Sequence, residues 1–165
     1  PGGMRILGID PGSRITGYGV IATNGHDIGF VACGTIRTGD ETDFSRRLLT
    51  IFQDLGEVIR THQPTVAAVE DIFISRNARS ALKLGHARGA AVVAALHHDL
   101  AVFDYPARQV KQTVAGYGQA EKGQVQQMVR TLLHLSSTPS TDAADALAVA
   151  ICHAHQSIYS RWGQS

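Results

Sequence analysis

Cysteine is scarce here: Cys33 and Cys152 are the only two in 165 residues. Their spacing fits no thiolate metal motif and suggests no disulfide scaffold, so both are expected to be reduced structural thiols. Long hydrophobic runs are also missing. No apolar stretch reaches the roughly 20 residues that span a bilayer. Nothing after Met4 reads as a secretory leader, so the chain is expected in the cytoplasm, away from membranes. Net charge is nearly absent, at +1 with an isoelectric point near 8.4, so bulk charge announces no nucleic-acid partner. Internal repeats, low-complexity tracts and linkers are lacking too. Pro1, Gly2 and Gly3 look like an expression scar ahead of Met4, which leaves one domain over 4–158 and a C-terminal tail over 159–165. A composition 44% hydrophobic and 18% charged is that of a soluble globular chain with a full-sized core.

The charge that is present is unevenly spread. Between Ile72 and Leu135 stand Arg76, Arg79, Lys83, Arg88, Arg108, Lys111, Lys122 and Arg130. Only Asp99, Asp104 and Glu121 oppose them, so the rest of the chain is acidic. A basic surface beside an acidic centre suits an enzyme acting on nucleic-acid phosphates. Solvated charged faces give the same count.

Met4–Asp10 is an apolar run ending in an acid, with a turn at Gly12. Thr16–Thr23 alternates and leads into Asn24-Gly25, a strong hairpin signal, so Asp27–Thr35 reads as the third strand of a meander. From Phe44 a helical stripe (44, 48, 51, 52, 55, 58, 59) closes before Pro64. Val66–Glu70 is a buried-type strand that again ends in an acid. A long helix over Asn77–His98 and a fifth strand over Ala101–Tyr105 follow. Three further helices are expected at about Arg108–Ala115, Lys122–Leu135 and Asp142–Gln156. This order predicts an α/β fold: a five-stranded mixed sheet with helices on both faces.

Sites in open α/β sheets lie beyond the strand ends. Asp10 and Glu70 occupy two such ends, and they meet if their strands are neighbours. Asp142 and Asp145 are spaced i, i+3, on one helix face. Each has a plainer reading: Asp10 as the opening of a turn, Glu70 as a solvated strand end, Asp142 as an N-cap with Asp145 in the first turn. Taken together, four carboxylates repel one another unless a cation sits among them. Acids without a Cys/His cluster suit Mg²⁺ or Mn²⁺ and not zinc. Two such ions, roughly 3.5–4 Å apart, clamp the attacking water and the leaving oxygen of a phosphodiester.

Four blocks then carry a family resemblance: Ile9–Val20 (IDPGSRITGYGV), Ala78–Gly89 (ARSALKLGHARG), Ala107–Val114 (ARQVKQTV) and Asp142–Ala148 (DAADALA). In order, and over nearly the whole chain, they resemble the RuvC Holliday junction resolvases. The resemblance implies a ribonuclease H-like fold and a homodimer. It also implies metal-dependent paired nicking of four-way junction DNA in recombination and repair, beside a RuvA–RuvB branch-migration complex. It carries the acidic site onto Asp10, Glu70, Asp142 and Asp145, an aromatic wedge onto Phe73, and functionally important lysines onto Lys111 and Lys122. In this reading Asp10 bridges two Mg²⁺ ions (or Mn²⁺), Glu70 holds one, Asp145 the other, and Asp142 completes the set. Lys122 stabilises charge at the scissile phosphate and Lys111 positions the strand. Asp71-Ile72 is a local departure, and some relatives carry His where this chain has Asp142.

Arg76, Arg79, Lys83 and His86 form a stripe suited to DNA phosphates or simply to solvent. Ala78, Ala81, Gly85 and Gly89 permit close helix approach, inside the monomer or across a dimer seam. His97, His98, His153 and His155 read as surface residues. A sugar-kinase-like phosphotransferase also opens on an Asp-x-Gly turn, but it needs a nucleotide lobe for which there is no room. A silent DNA-binding module would have no use for four acids.

Overall fold

The computed structural model describes residues 3–71, 77–116 and 121–162, with backbone alone for Lys122 and for 158–162. Its elements are β1 (Met4–Asp10), β2 (Ile15–Asn24), β3 (Asp27–Arg37), α1 (Phe44–His62), β4 (Val66–Glu70), α2 (Ala78–His97), β5 (Ala101–Tyr105), α3 (Ala107–Ala115), α4 (Lys122–Leu132) and α5 (Thr141–Trp162). They form one five-stranded sheet in the order β3-β2-β1-β4-β5. β1, β2 and β3 pair antiparallel, while β1–β4 and β4–β5 are parallel, which bears out the mixed sheet. Helices cover both of its faces.

Alternation along each strand sorts the core in two. Leu7, Ile9, Ala67 and Val69 pack against Ile51, Leu55 and Ile59 of α1 and Ala87, Ala91, Ala94 and Ala95 of α2. Ile6, Ile21, Val66 and Ala68 face Val110 and Val114 of α3, Val125 and Val129 of α4, and α5. α5 lies between the sheet and the pair α3/α4, which explains its burial. From Ala143 to Ala154 every residue is buried except Asp145.

That helix sits unusually close to the sheet because of glycine. A Cβ on Gly8 would stand 1.9 Å from the Ala146 carbonyl oxygen, and one on Gly17 2.0 Å from that of Asp142. No side chain fits at either position, so both are read as packing requirements of α5.

Several boundaries depart from expectation. β2 starts at Ile15 and β3 runs on to Arg37 because those two residues pair. α4 stops at Leu132 instead of Leu135: His134 takes a left-handed φ of 53°, and the Leu135 N–H turns back to the Arg130 carbonyl. α5 continues to Trp162, well past Gln156 and into the stretch expected to be a tail. Its cap is Ser140, whose Oγ accepts from the Ala143 N–H at 3.3 Å, so Asp142 is not the N-cap. Both cysteines are free, Cys152 buried and Cys33 half-buried. No helix among the described residues is long and apolar enough to cross a membrane.

Candidate active site

Parallel pairing of β1 with β4 sets Ile9 beside Val69, so the next residues, Asp10 and Glu70, end adjacent strands. Asp10 follows Ile6 and Gly8 on the α5 face, and Glu70 follows Val66 and Ala68 on the same face. α5 then brings Asp145 over the two strand ends. Asp10, Glu70 and Asp145 line one cleft of about 190 Å³, whose remaining walls are Ala107, Val110, Lys111, Val125 and Ala148. All three carboxylates are half-buried. One ammonium thus faces three acids across a wall of small apolar groups.

Asp142 is half-buried one turn earlier on α5 and is not among the cleft-lining residues. Lys122 is the first residue of α4, whose Val125 reaches the cleft, so the helix N-terminus borders the site. Partial positive charge at that end favours an anion. Arg79, Lys83 and His86 are solvent-exposed along α2. Phe73 and Arg76 lie outside the described residues, as does the Lys122 side chain.

The histidines correct the expectation of four surface residues. His153 is 7% exposed. Its Nδ1 lies 2.6 Å from the Tyr105 hydroxyl, and its ring lies 4.7 Å from that of Phe103. Burial pushes the His153 imidazole below its ordinary 6.5 and the Tyr105 phenol up to about 12. Both shifts favour the uncharged forms, so the hydroxyl and the ring nitrogen share a hydrogen bond between two neutral groups. Nothing in the spacing of Tyr105 and His153, 48 residues apart, could have announced the pair. His98 and His155 are half-buried, whereas His97 is exposed as expected and stands edge to face with His98 at 5.2 Å.

Among the described residues, no three Asp, Glu, His or Cys side chains form a ready-made cage for an ion. The donor set still suits a hard divalent cation. Mg²⁺ characteristically takes one or two carboxylates and completes its shell with water and substrate phosphate.

A sheet of this order with acids at the ends of β1 and β4 and on the helix above them is the ribonuclease H-like arrangement of phosphodiester hydrolases. The sequence profile of "Crossover junction endodeoxyribonuclease RuvC" matches residues 6–153, and the chain belongs to the RuvC family. The family's enzyme class, a crossover junction endodeoxyribonuclease, is the one expected from the sequence. The chain is similar to RuvC of Cronobacter sakazakii, 59% identical over 92% of this chain and 87% of the relative. It is 55% identical to RuvC of Acinetobacter baylyi over 92% of this chain and 83% of that one. Among solved structures it resembles Thermus thermophilus RuvC in complex with Holliday junction substrate. The TM-score there is 0.86 at 36% identity, covering 97% of this chain and 96% of that one. The yeast mitochondrial resolvase Ydc2 shares the fold at 11% identity, with a TM-score of 0.66 over 96% of this chain and 83% of that one.

Proposed function

We propose that the chain resolves four-way DNA junctions by hydrolysing one phosphodiester at each of two symmetry-related sites, with Asp10, Glu70, Asp145 and Asp142 as the hydrolytic carboxylates. The observation that carries this reading is Asp145. It is the one residue not buried in the stretch from Ala143 to Ala154, and it opens into a cleft shared with two strand-end acids. A helix designed only for packing would carry an apolar residue there.

Asp10 ends the strand that lies between β2 and β4 and beneath α5, so it is the acid best placed to serve two ions. Glu70 would hold one and Asp145 the other, with Asp142 approaching from the α5 N-terminus. Divalent ions, Mg²⁺ or Mn²⁺, supply activation of the attacking water and stabilisation of charge at the scissile phosphate when bound. Lys111 directs its ammonium at the phosphate backbone entering the cleft, and Lys122 reaches the same phosphates from the start of α4. Val110, Val125 and Ala148 keep bulk water away from the carboxylates, which strengthens every charge interaction there. The products are 5′-phosphate and 3′-hydroxyl ends.

Two cuts need two sites, and a two-fold junction asks for a two-fold enzyme. α2 supports a homodimer. Leu82, Gly89, Val93 and Leu96 lie on its solvent side, with Leu82 67% exposed and Val93 and Leu96 each 55%. Their spacing of 7, 4 and 3 keeps them on one helical stripe. Gly85 and Gly89 meet nothing where a Cβ would stand, so these two glycines are not used for packing inside the monomer. Arg79 and Lys83 flank this stripe as phosphate contacts, and the sequence pattern adds Arg76 and the family resemblance the Phe73 wedge to the residues proposed to touch DNA. Family membership supports work in the cytoplasm beside a RuvA–RuvB branch-migration complex. The test is a supercoiled cruciform plasmid treated with purified heterodimers of wild-type and Asp10→Asn subunits in Mg²⁺. Nicked circles are expected, whereas linear product at the wild-type rate without subunit exchange would refute the two-site reading.

A further inference from the structure

Between β1 and β2 the chain reverses through Pro11, Gly12, Ser13 and Arg14, immediately after Asp10. Two buried hydroxyls hold this reversal. Thr16 is fully buried, and its Oγ1 both accepts from the Gly12 N–H at 3.3 Å and donates to the Gly12 carbonyl at 2.9 Å. Thr38 is 4% exposed and grips the other half of the turn. Its Oγ1 donates to the Ser13 carbonyl at 2.9 Å, and its N–H to the Arg14 carbonyl at 2.8 Å. The turn has no slack between these clamps, since a Cβ on Gly12 would stand 2.1 Å from the Ile15 carbonyl oxygen.

Threonine hydroxyls often bond backbone groups a few residues away and so hold turns in place. Thr16 spends its hydroxyl as both donor and acceptor on the backbone of one residue, Gly12, two positions beyond Asp10. Its own strand neighbour, Gly17, is the register partner of Asp10 and the contact point of α5. The same two-residue step thus ties together the Asp10 backbone, the turn and the helix that bears Asp145.

We propose that Thr16 is a positioning residue, which fixes the Asp10 carboxylate in the geometry that two cations require, with Thr38 as a second, weaker clamp. This rests on the reading of Asp10 as a shared metal ligand. Thr16→Val keeps the shape and removes the hydroxyl, and Thr16→Ser keeps the hydroxyl and removes the methyl.

The test uses the full chain and three readouts: Mn²⁺ binding followed by its electron paramagnetic resonance signal, junction binding without divalent ions, and single-turnover cleavage of a prebound four-way junction. Groups bonded directly to metal ligands are typically worth 10–100-fold; Thr16 acts one step further out, through the Gly12 backbone, so Thr16→Val is expected to weaken Mn²⁺ binding and slow cleavage by roughly tenfold, the lower end of that range, with Thr16→Ser within about threefold of wild type. Junction binding stays unchanged. Wild-type Mn²⁺ affinity in Thr16→Val overturns the proposal, and so does a Thr16→Ser as impaired as Thr16→Val. If Thr16→Val does not fold, Thr38→Val carries the test: a smaller loss of Mn²⁺ affinity is expected, and none overturns it. Asp10→Asn, run alongside, separates the two layers. Normal cleavage by Asp10→Asn removes the site reading itself, whereas a dead Asp10→Asn beside a normal Thr16→Val removes only the role of Thr16.

Discussion

The two faces of the sheet are covered by helices of different kinds. α1 and α2 are half-buried, turning Ile51, Leu55 and Ile59 and a row of alanines inward and the rest to solvent. α5 is enclosed by the sheet below and α3 and α4 above. A solvent-facing helix can vary freely along its outer side, so a charge there carries little meaning. An enclosed helix cannot, and a carboxylate within it is costly unless something charged answers it. The face proposed to carry chemistry is therefore the more constrained of the two, and its acids are informative where those of the other face are not.

The sharpest way to break this contrast is Asp145→Asn. The substitution is close to isosteric, so folding and junction binding are expected to persist while Mg²⁺-dependent cleavage falls by about 10³-fold or more, the loss of several kcal/mol of transition-state stabilisation. Near-normal nicking by the pure variant would return Asp145 to the status of a surface acid. Next in size is Gly17→Ala. One methyl pushed against the Asp142 carbonyl must lift α5 from β2, at about 1–3 kcal/mol in chemical denaturation. Cleavage should drop with it, and an unperturbed variant would show that α5 is not held as closely as described. On the other face the corresponding change is Val93→Glu. It lies on the exposed stripe of α2, so the subunit fold should survive with its circular dichroism unchanged while sedimentation shifts from dimer to monomer. A persistent dimer would place the seam elsewhere.

The smallest effect concerns pH. Burial holds His153 below 6.5, so the unfolded chain takes up its proton first as the solution is acidified. The stability contributed by the neutral, Tyr105-bonded ring is fully present above 6.5 and declines as pH falls below it. His153→Asn sets an amide near the Nδ1 position, where it can pair with the Tyr105 hydroxyl, and does not titrate, so its melting temperature should fall less steeply between pH 6.5 and 5. Identical acid limbs would assign the loss to other groups.

Much of this was legible before the structure. Apolar runs ending at Asp10 and Glu70, and the Asn24-Gly25 hairpin, led to the sheet because strands and turns are written in local pattern. The acids were legible because carboxylates at strand ends and in an apolar helix stand out against their surroundings. What remained hidden depended on approach in space. The reach of α5 to Trp162 and its closeness to Gly8 and Gly17 follow from the space between two layers, not from periodicity. His153 looked like a surface residue because a helix buried on all sides has no polar side to betray which positions are inside. Asp142 stayed ambiguous for a related reason: at the first turn, capping, dipole and ligand roles all favour the same residue type, and only the Ser140 contact excludes the cap.

Cleft residues 10, 70, 111 and 145 come from four widely separated parts of the chain, and the last of them arrives on the final described helix. α5 must close onto β1 and β2, laid down more than a hundred residues earlier, and onto β4, and contacts of such long range slow folding. During synthesis, β1 and β4 with their acids emerge well before Asp145 exists. A nascent or half-folded chain therefore holds only an incomplete set of these carboxylates, and on the proposed reading the power to cut DNA is withheld until the whole subunit has assembled.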